Sequence, residues 1–239
     1  MIRFSMCAVF AAVGLLADPK IEVLKMNHAY YNENAMIKRM MVEGGVLGEK
    51  APLVLQVSEF PVGVSLPNRP EWLKDMRENG NGSAILIWVC GQNHFQKRFY
   101  LSKDDATSFI EDKTYFKDRF RKYFQPKDLE GLQQGPIAVT AILVNGYGES
   151  IKNSRANKTV VADYLKKSGD TKTIDDAVKS PYILFNEPYG NFQNGQPIML
   201  DYYVFNADIG TDAFTVELYI DGKLEEVLYE WAPYKVRNL

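Results

Sequence analysis

Cysteine and histidine are scarce in this chain, with two of each in 239 residues. Cys7 and Cys90 cannot build a disulfide framework, and loss of the N-terminus would leave Cys90 alone. His28 and His94 lie far apart in sequence, and no His-x-x-x-His, Cys-x-x-Cys or His-Glu spacing is present. The sequence therefore offers no metal centre and implies no cofactor. A Gly-x-Ser-x-Gly nucleophile elbow is missing as well. Net charge is nearly absent: 28 basic against 30 acidic residues give −2. A chain so balanced has no global field to draw it to nucleic acid or to an anionic membrane. No stretch approaches the about 20 apolar residues that span a bilayer, and there is no internal repeat or low-complexity tract.

Two glycine clusters also exclude more than they suggest. Gly44-Gly-Val-Leu-Gly-Glu-Lys-Ala51 fails as a phosphate-binding loop, because Ala51 stands where Ser or Thr is needed and the glycine spacing is one residue short. Asn145-Gly-Tyr-Gly148 lacks the third glycine of a dinucleotide fingerprint and reads as a turn.

What the chain does have is aromatics, 14 Tyr and 13 Phe within a composition that is 46% hydrophobic and 24% charged. Such an excess suits β-structure and binding surfaces. At the N-terminus, one basic residue in Met1-Ile-Arg-Phe-Ser precedes an apolar run from Met6 to Ala17 and then Asp18-Pro19. This is the three-part layout of a secretory signal, with cleavage expected after Ala12-Val13-Gly14 or Leu15-Leu16-Ala17. It points to a secreted or periplasmic protein. The alternative is a first strand or helix of the core in a cytoplasmic one.

Periodicity then divides the chain. Ala35–Met41 reads as a short helix with its methionines inward, Leu53–Phe60 as a strand and Glu71–Asn79 as a short helix. Ala84–Cys90 is apolar without alternation, which predicts a strand buried on both faces, and His94–Leu101 reads as its hairpin partner. Ser102–Gln125 reads as the clearest helix, with Phe109, Phe116, Phe120, Tyr123 and Phe124 as one aromatic stripe. Its acidic start and basic end complement the helix dipole, so the basic half is a solvated face and not a nucleic-acid surface. Pro136–Val144 is another buried-type strand. Residues 147–180 turn polar and read as a connecting excursion, with short helices at Val160–Leu165 and Ile174–Val178. Asn81-Gly-Ser83 and Asn157-Lys-Thr159 fit the glycosylation sequon.

From Pro181 to Leu239 five successive strands are expected, each rich in β-branched and aromatic residues and bounded by Gly, Asn, Asp or Pro. Tyr189-Gly-Asn-Phe-Gln-Asn-Gly195 with Pro197–Asn206, then Thr215–Val227 around Asp221-Gly222 and Trp231-Ala-Pro-Tyr-Lys-Val236, resembles the immunoglobulin-like domains of bacterial secreted proteins. The resemblance covers the last quarter only and brings no catalytic residues. It implies a binding, spacing or assembly role. Such a sandwich has about seven strands, so the module reads as incomplete, and an open edge needs a cover. Pro136–Val144, a strand from a partner chain or a second copy, and a truncated chain are the alternatives.

The expected fold is thus α+β and β-rich: residues 1–17 as a signal, 18–146 as a mixed α+β domain, 147–180 as the excursion and 181–239 as an immunoglobulin-like sandwich. Tyr202, Tyr203, Tyr219, Tyr229, Trp231 and Tyr234 are the candidate binding residues, since alternation on strands turns about half of such residues outward. Paired acids at Asp104-Asp105, Asp175-Asp176 and Glu225-Glu226 diverge in direction and read as solvated or capping. The functional expectation is a non-enzymatic binding or assembly protein with a protein or carbohydrate partner. The alternative is a hydrolase between the two parts that uses His94 with carboxylates, or Cys90 activated by His94.

Overall fold

The computed structural model describes residues 4–8, 21–26, 34–48, 51–66, 68, 70–76, 82–91, 96–101, 119–167, 172–193 and 195–239. Strands dominate them. The N-terminal part supplies β1 (Phe4–Ala8), β2 (Glu22–Lys25), β3 (Met36–Val42), β4 (Val46–Leu47) and β5 (Leu53–Ser58). The middle supplies β6 (Ala84–Cys90), β7 (Gln96–Leu101), β8 (Arg119–Lys122), β9 (Gly135–Val144), β10 (Asn157–Tyr164) and helix α1 (Lys172–Lys179). The last part holds β11 (Tyr182–Glu187), β12 (Ile198–Phe205), β13 (Val216–Ile220), β14 (Lys223–Leu228) and β15 (Tyr234–Arg237). These strands form several sheets, paired mostly antiparallel, and they sort into two compact units that do not follow chain order.

One unit holds β3 to β10 and α1. Its larger sheet runs β4-β10-β9-β6-β7, and a smaller one runs β3-β5-β8. All ten residues of β9 are buried, as is most of β6, which matches the two-faced burial that their unbroken apolar runs predict. Ile85, Ile87, Val89, Val139, Ala141 and Leu143 share one hydrophobic cluster with Leu53, Leu55 and Val57 of the smaller sheet. Burial of apolar side chains at about 1.5–3 kcal/mol each makes this cluster the main source of the unit's stability.

Two expected helices and the end of a third are corrected here. Ala35–Met41 is strand β3, paired with β5 through a bulge between Ile37 and Arg39. The extra residue sets buried Ile37 and Met40 on one face three positions apart, a spacing that imitates a helix in sequence. Val160–Leu165 is mostly β10, where Val160, Ala162 and Tyr164 alternate onto the hydrophobic cluster. At the end of the expected Ser102–Gln125 helix, Arg119–Lys122 is strand β8 on β5, and Phe120 is buried. Residues 102–118 lie outside the described residues. Phe124 is buried edge-on against Phe99 at 5.0 Å, whereas Tyr123 is exposed. The helix expected at Ile174–Val178 is α1, with Ile174 buried. The start of the expected Glu71–Asn79 helix is a single 3-10 turn, Glu71–Leu73, and residues 77–79 lie outside the described residues. Residues 147–180, expected as an excursion, supply β10, which pairs with β9 over eight residues from Asn157 to Tyr164.

The other unit holds β1, β2, the segment around Glu71–Leu73 and β11 to β15. The five C-terminal strands stand where the sequence predicts them, but they fall into two sheets that need more. One sheet runs β11-β12-β15-β2 and the other β1-β13-β14. Strand β2 adds antiparallel to β15, and β1 adds parallel to β13. The cover expected from Pro136–Val144 is therefore corrected: that strand is β9, paired on both sides by β10 and β6. Leu200, Tyr202, Val204 and Tyr234 of one sheet share a single cluster with Val216, Leu218, Ile220 and Leu228 of the other.

The turn Asn145–Gly148 shows how tightly local sequence is read. The Asn145 Oδ1 accepts the amides of Tyr147 and Glu149 at 2.9 and 3.1 Å. The loop Pro61–Leu66 lies on this turn and is fastened to Ser83, whose amide donates to the Val64 carbonyl at 2.9 Å and whose Oγ accepts the Val64 amide at 3.0 Å. A Cβ on Gly146 would stand 2.7 Å from the Val64 carbonyl oxygen and 2.9 Å from Leu66 Cγ. Gly146→Ala is accordingly expected to lower the urea midpoint by the equivalent of about 1–3 kcal/mol. Gly210→Ala, whose Cβ meets nothing closer than 4.0 Å, should stay within about 0.5 kcal/mol.

Candidate functional site

Five of the six aromatic residues singled out in sequence, all but Tyr219, gather around one short connection, Tyr229 to Pro233 between β14 and β15. The Glu230 carbonyl accepts the hydroxyls of Tyr202 at 3.1 Å and Tyr234 at 3.0 Å, together with the Ala232 amide at 3.0 Å. In return the Trp231 indole N–H donates to the Tyr202 carbonyl at 3.2 Å. Trp231 also meets Tyr203 edge-on at 4.6 Å, and Tyr203 in turn leans on Phe205 at 4.9 Å. From the next strand, Met26 N–H donates to the Pro233 carbonyl at 2.9 Å. Lys25 pairs with Glu230 on the half-exposed rim, where an ion pair adds little.

This arrangement divides the six candidates. Tyr202, Tyr203 and Tyr234 are buried, Tyr219 and Trp231 are half-buried, and Tyr229 is 47% exposed. Strand alternation does turn Tyr203 to the opposite face from Tyr202, yet it is buried there too, so the three buried tyrosines are framework and not surface. Burial drives the Tyr202 hydroxyl well above the ordinary phenol range, with Tyr234 and Asp201 adding to it. It pushes Tyr234 up to about 12, with Glu230 as the next cause. Both stay protonated donors at neutral pH, as their bonds to Glu230 require. Tyr219 donates to Glu217 at 2.9 Å.

One exposed aromatic was not singled out. Tyr189 is 56% exposed at the end of the β11 strand, with its amide on the Glu187 carboxylate at 2.9 Å. Its signal in sequence was the Gly-Asn run that follows, which marks a loop and so a residue free of a strand's core face.

The alternative reading turns on Cys90 and His94. Burial pushes the Cys90 thiol up to about 11, so it is not the ready thiolate that a nucleophile must be. His94 and His28 lie outside the described residues. Among the described residues no group of three His, Cys, Asp or Glu side chains is placed to hold a metal ion. A cleft of about 50 Å³ between Phe60, Leu66, Asn145 and Ile151 has room for a water or two, far below the several hundred Å³ of a ligand pocket. No described helix is long and apolar enough to cross a membrane.

The charged pair that matters for stability sits on β15. Lys235, itself buried, donates to Asp75 Oδ1 at 2.5 Å, and Arg237 lies 3.5 Å from Oδ2. The pair fastens the segment that carries buried Leu73 and Met76. Burial alone would raise the Asp75 carboxyl; the hydrogen bond and charge of Lys235, with Arg237 behind, more than reverse this and hold it below its usual value.

Comparison of the chain with protein-family models, curated proteins and solved structures returned no match.

Two outcomes follow from the electrostatics. A depressed carboxyl contributes stability that is present above its unfolded value near 3.8 and is lost as pH falls through the lower folded value. Asp75→Asn should therefore destabilise by about 1 kcal/mol at pH 7, since the carboxylate is half-exposed, and the gap from wild type should close below pH 4. For Cys90, alkylation by iodoacetamide at pH 8, followed on the peptide that carries it, should run roughly tenfold or more below the rate in guanidinium. Equal rates in the folded and unfolded chains would contradict the inert-thiol assignment.

Proposed function

We propose that the chain is an exported, non-enzymatic binding or assembly protein whose immunoglobulin-like C-terminal unit offers the connection Tyr229–Trp231 to a protein or glycan partner. The observation that carries this is the clamp on Glu230. A contact residue binds well when it is held still beforehand, because less conformational entropy is lost on association. Tyr229 is exposed directly beside a carbonyl that takes three hydrogen bonds, and half-buried Trp231 is fixed by its own bond to β12. Tyr and Trp are the side chains that most often dominate binding surfaces. The immunoglobulin-like reading is supported by two sheets over one core, β11-β12-β15-β2 and the β13–β14 pair, and by the motif from Thr215 to Val236. Export is supported by the signal-like layout of residues 1–17.

The test is photo-crosslinking from position 229 in the native host, with the exposed Asp221 as a second position. Discrete protein or glycan adducts from 229 and not from 221 are the expected result, and they should fall several-fold on Trp231→Ala. Equal labelling from both positions would remove this connection as the binding site.

A further inference from the structure

Both cleavage points read from the sequence fall between β1 and β2. Cutting after residue 14 or 17 would remove β1 and leave β2 in place on β15. The four-stranded sheet would stay whole, while the three-stranded sheet would lose the strand that covers β13. Strand β1 is also the odd member of its sheet, parallel to β13 over five residue pairs from Phe4↔Val216 to Ala8↔Ile220, where the β13–β14 pairing is antiparallel.

The two long strands that remain are built differently. β14, at the sheet's other edge, carries Lys223, Glu225 and Glu226, with Lys223 and Glu225 paired at 2.8 Å, the charged protection expected of a strand that faces solvent along its backbone. β13 reads Val216-Glu-Leu-Tyr-Ile220, with no lysine, no proline and no extra residue of its own. Val216, Leu218 and Ile220 face the core, so Glu217, itself buried, and half-buried Tyr219 share the other face. The strand is close to self-complementary. If two copies pair antiparallel about Leu218, each Val216 opposes the other copy's Ile220, and each Glu217 opposes the other copy's Tyr219. No like charges meet, and Tyr219 and Glu217 already make a hydrogen bond of 2.9 Å within one chain.

We propose that the outer edge of β13 is a homodimerisation edge, covered by β1 in the unprocessed chain and opened when residues 1–17 are removed, with a second copy's β13 as its occupant. The proposal rests on the export reading for its trigger, and strand addition of this kind draws its affinity from main-chain hydrogen bonds. Its specificity lies in the Glu217–Tyr219 register.

The experiment uses the full chain with a site-specific protease sequence inserted between Ala17 and Asp18, folded, purified and then cleaved. Light scattering should find a monomer before cleavage and a dimer after it. Tyr219→Glu sets Glu against Glu217 at both ends of the paired strands and should raise the dimer dissociation constant tenfold or more. Glu217→Lys with Tyr219→Glu makes both contacts attractive and should restore the dimer; thermal melts of each variant confirm that it is folded. A dimer already present before cleavage, a cleaved chain that stays monomeric with or without its peptide, aggregation in place of a dimer, or a dimer indifferent to Tyr219→Glu would each overturn the proposal. The intact mass of the protein from native host fractions decides the trigger separately: a chain short by its first fourteen to seventeen residues establishes processing, and a full-length one removes it whatever the light scattering reports.

Discussion

A strand needs a neighbour on each side or a reason to lack one, and that constraint shapes the C-terminal unit more than any single residue does. Five strands from Tyr182 onward carry the apolar faces for a core but cannot close two sheets. The missing pairings come from the opposite end of the chain, where Glu22–Lys25 joins β15 and Phe4–Ala8 joins β13. Closing so long a loop costs entropy, though the cost rises only slowly with length. Val23 packing against the common core and four residue pairs along β15 are the return. The unit is therefore discontinuous in sequence although its core is contiguous in space.

The second unit meets the same constraint by different means. β9 lies inside its sheet with partners along both edges, and its sequence, Gly-Pro-Ile-Ala-Val-Thr-Ala-Ile-Leu-Val, has nothing to offer solvent on either face. Thr140 is the polar exception, and its hydroxyl meets that of Thr159 at 2.9 Å on the neighbouring strand. Paired in this way, a buried hydroxyl no longer carries the penalty of an unmade hydrogen bond.

The aromatics of the C-terminal unit divide between core and surface. Tyr202 and Tyr234 spend their hydroxyls on one backbone carbonyl, which fixes the connection that carries Tyr229 into solvent. A binding residue on a loop is only as well placed as the framework beneath it. Here the framework is made of the same residue type as the proposed contact, which is why composition alone could not separate the two.

Much of the strand order was legible in the chain itself. Ala84–Cys90, Pro136–Val144 and the five C-terminal strands are long, β-branched or aromatic and bounded by turn formers, so local chemistry determined them. So did Asn145-Gly-Tyr-Gly148, whose turn depends on one carboxamide and its nearest amides. What only the tertiary structure decided was everything that depends on a partner distant in sequence. The bulge in β3 disguised a strand as a helix. The alternation that points Tyr203 away from the core could not say that its other side is buried too. The pairing of residues 4–8 with 216–220 has no local trace at all, because an edge is completed by main-chain groups that every residue carries alike.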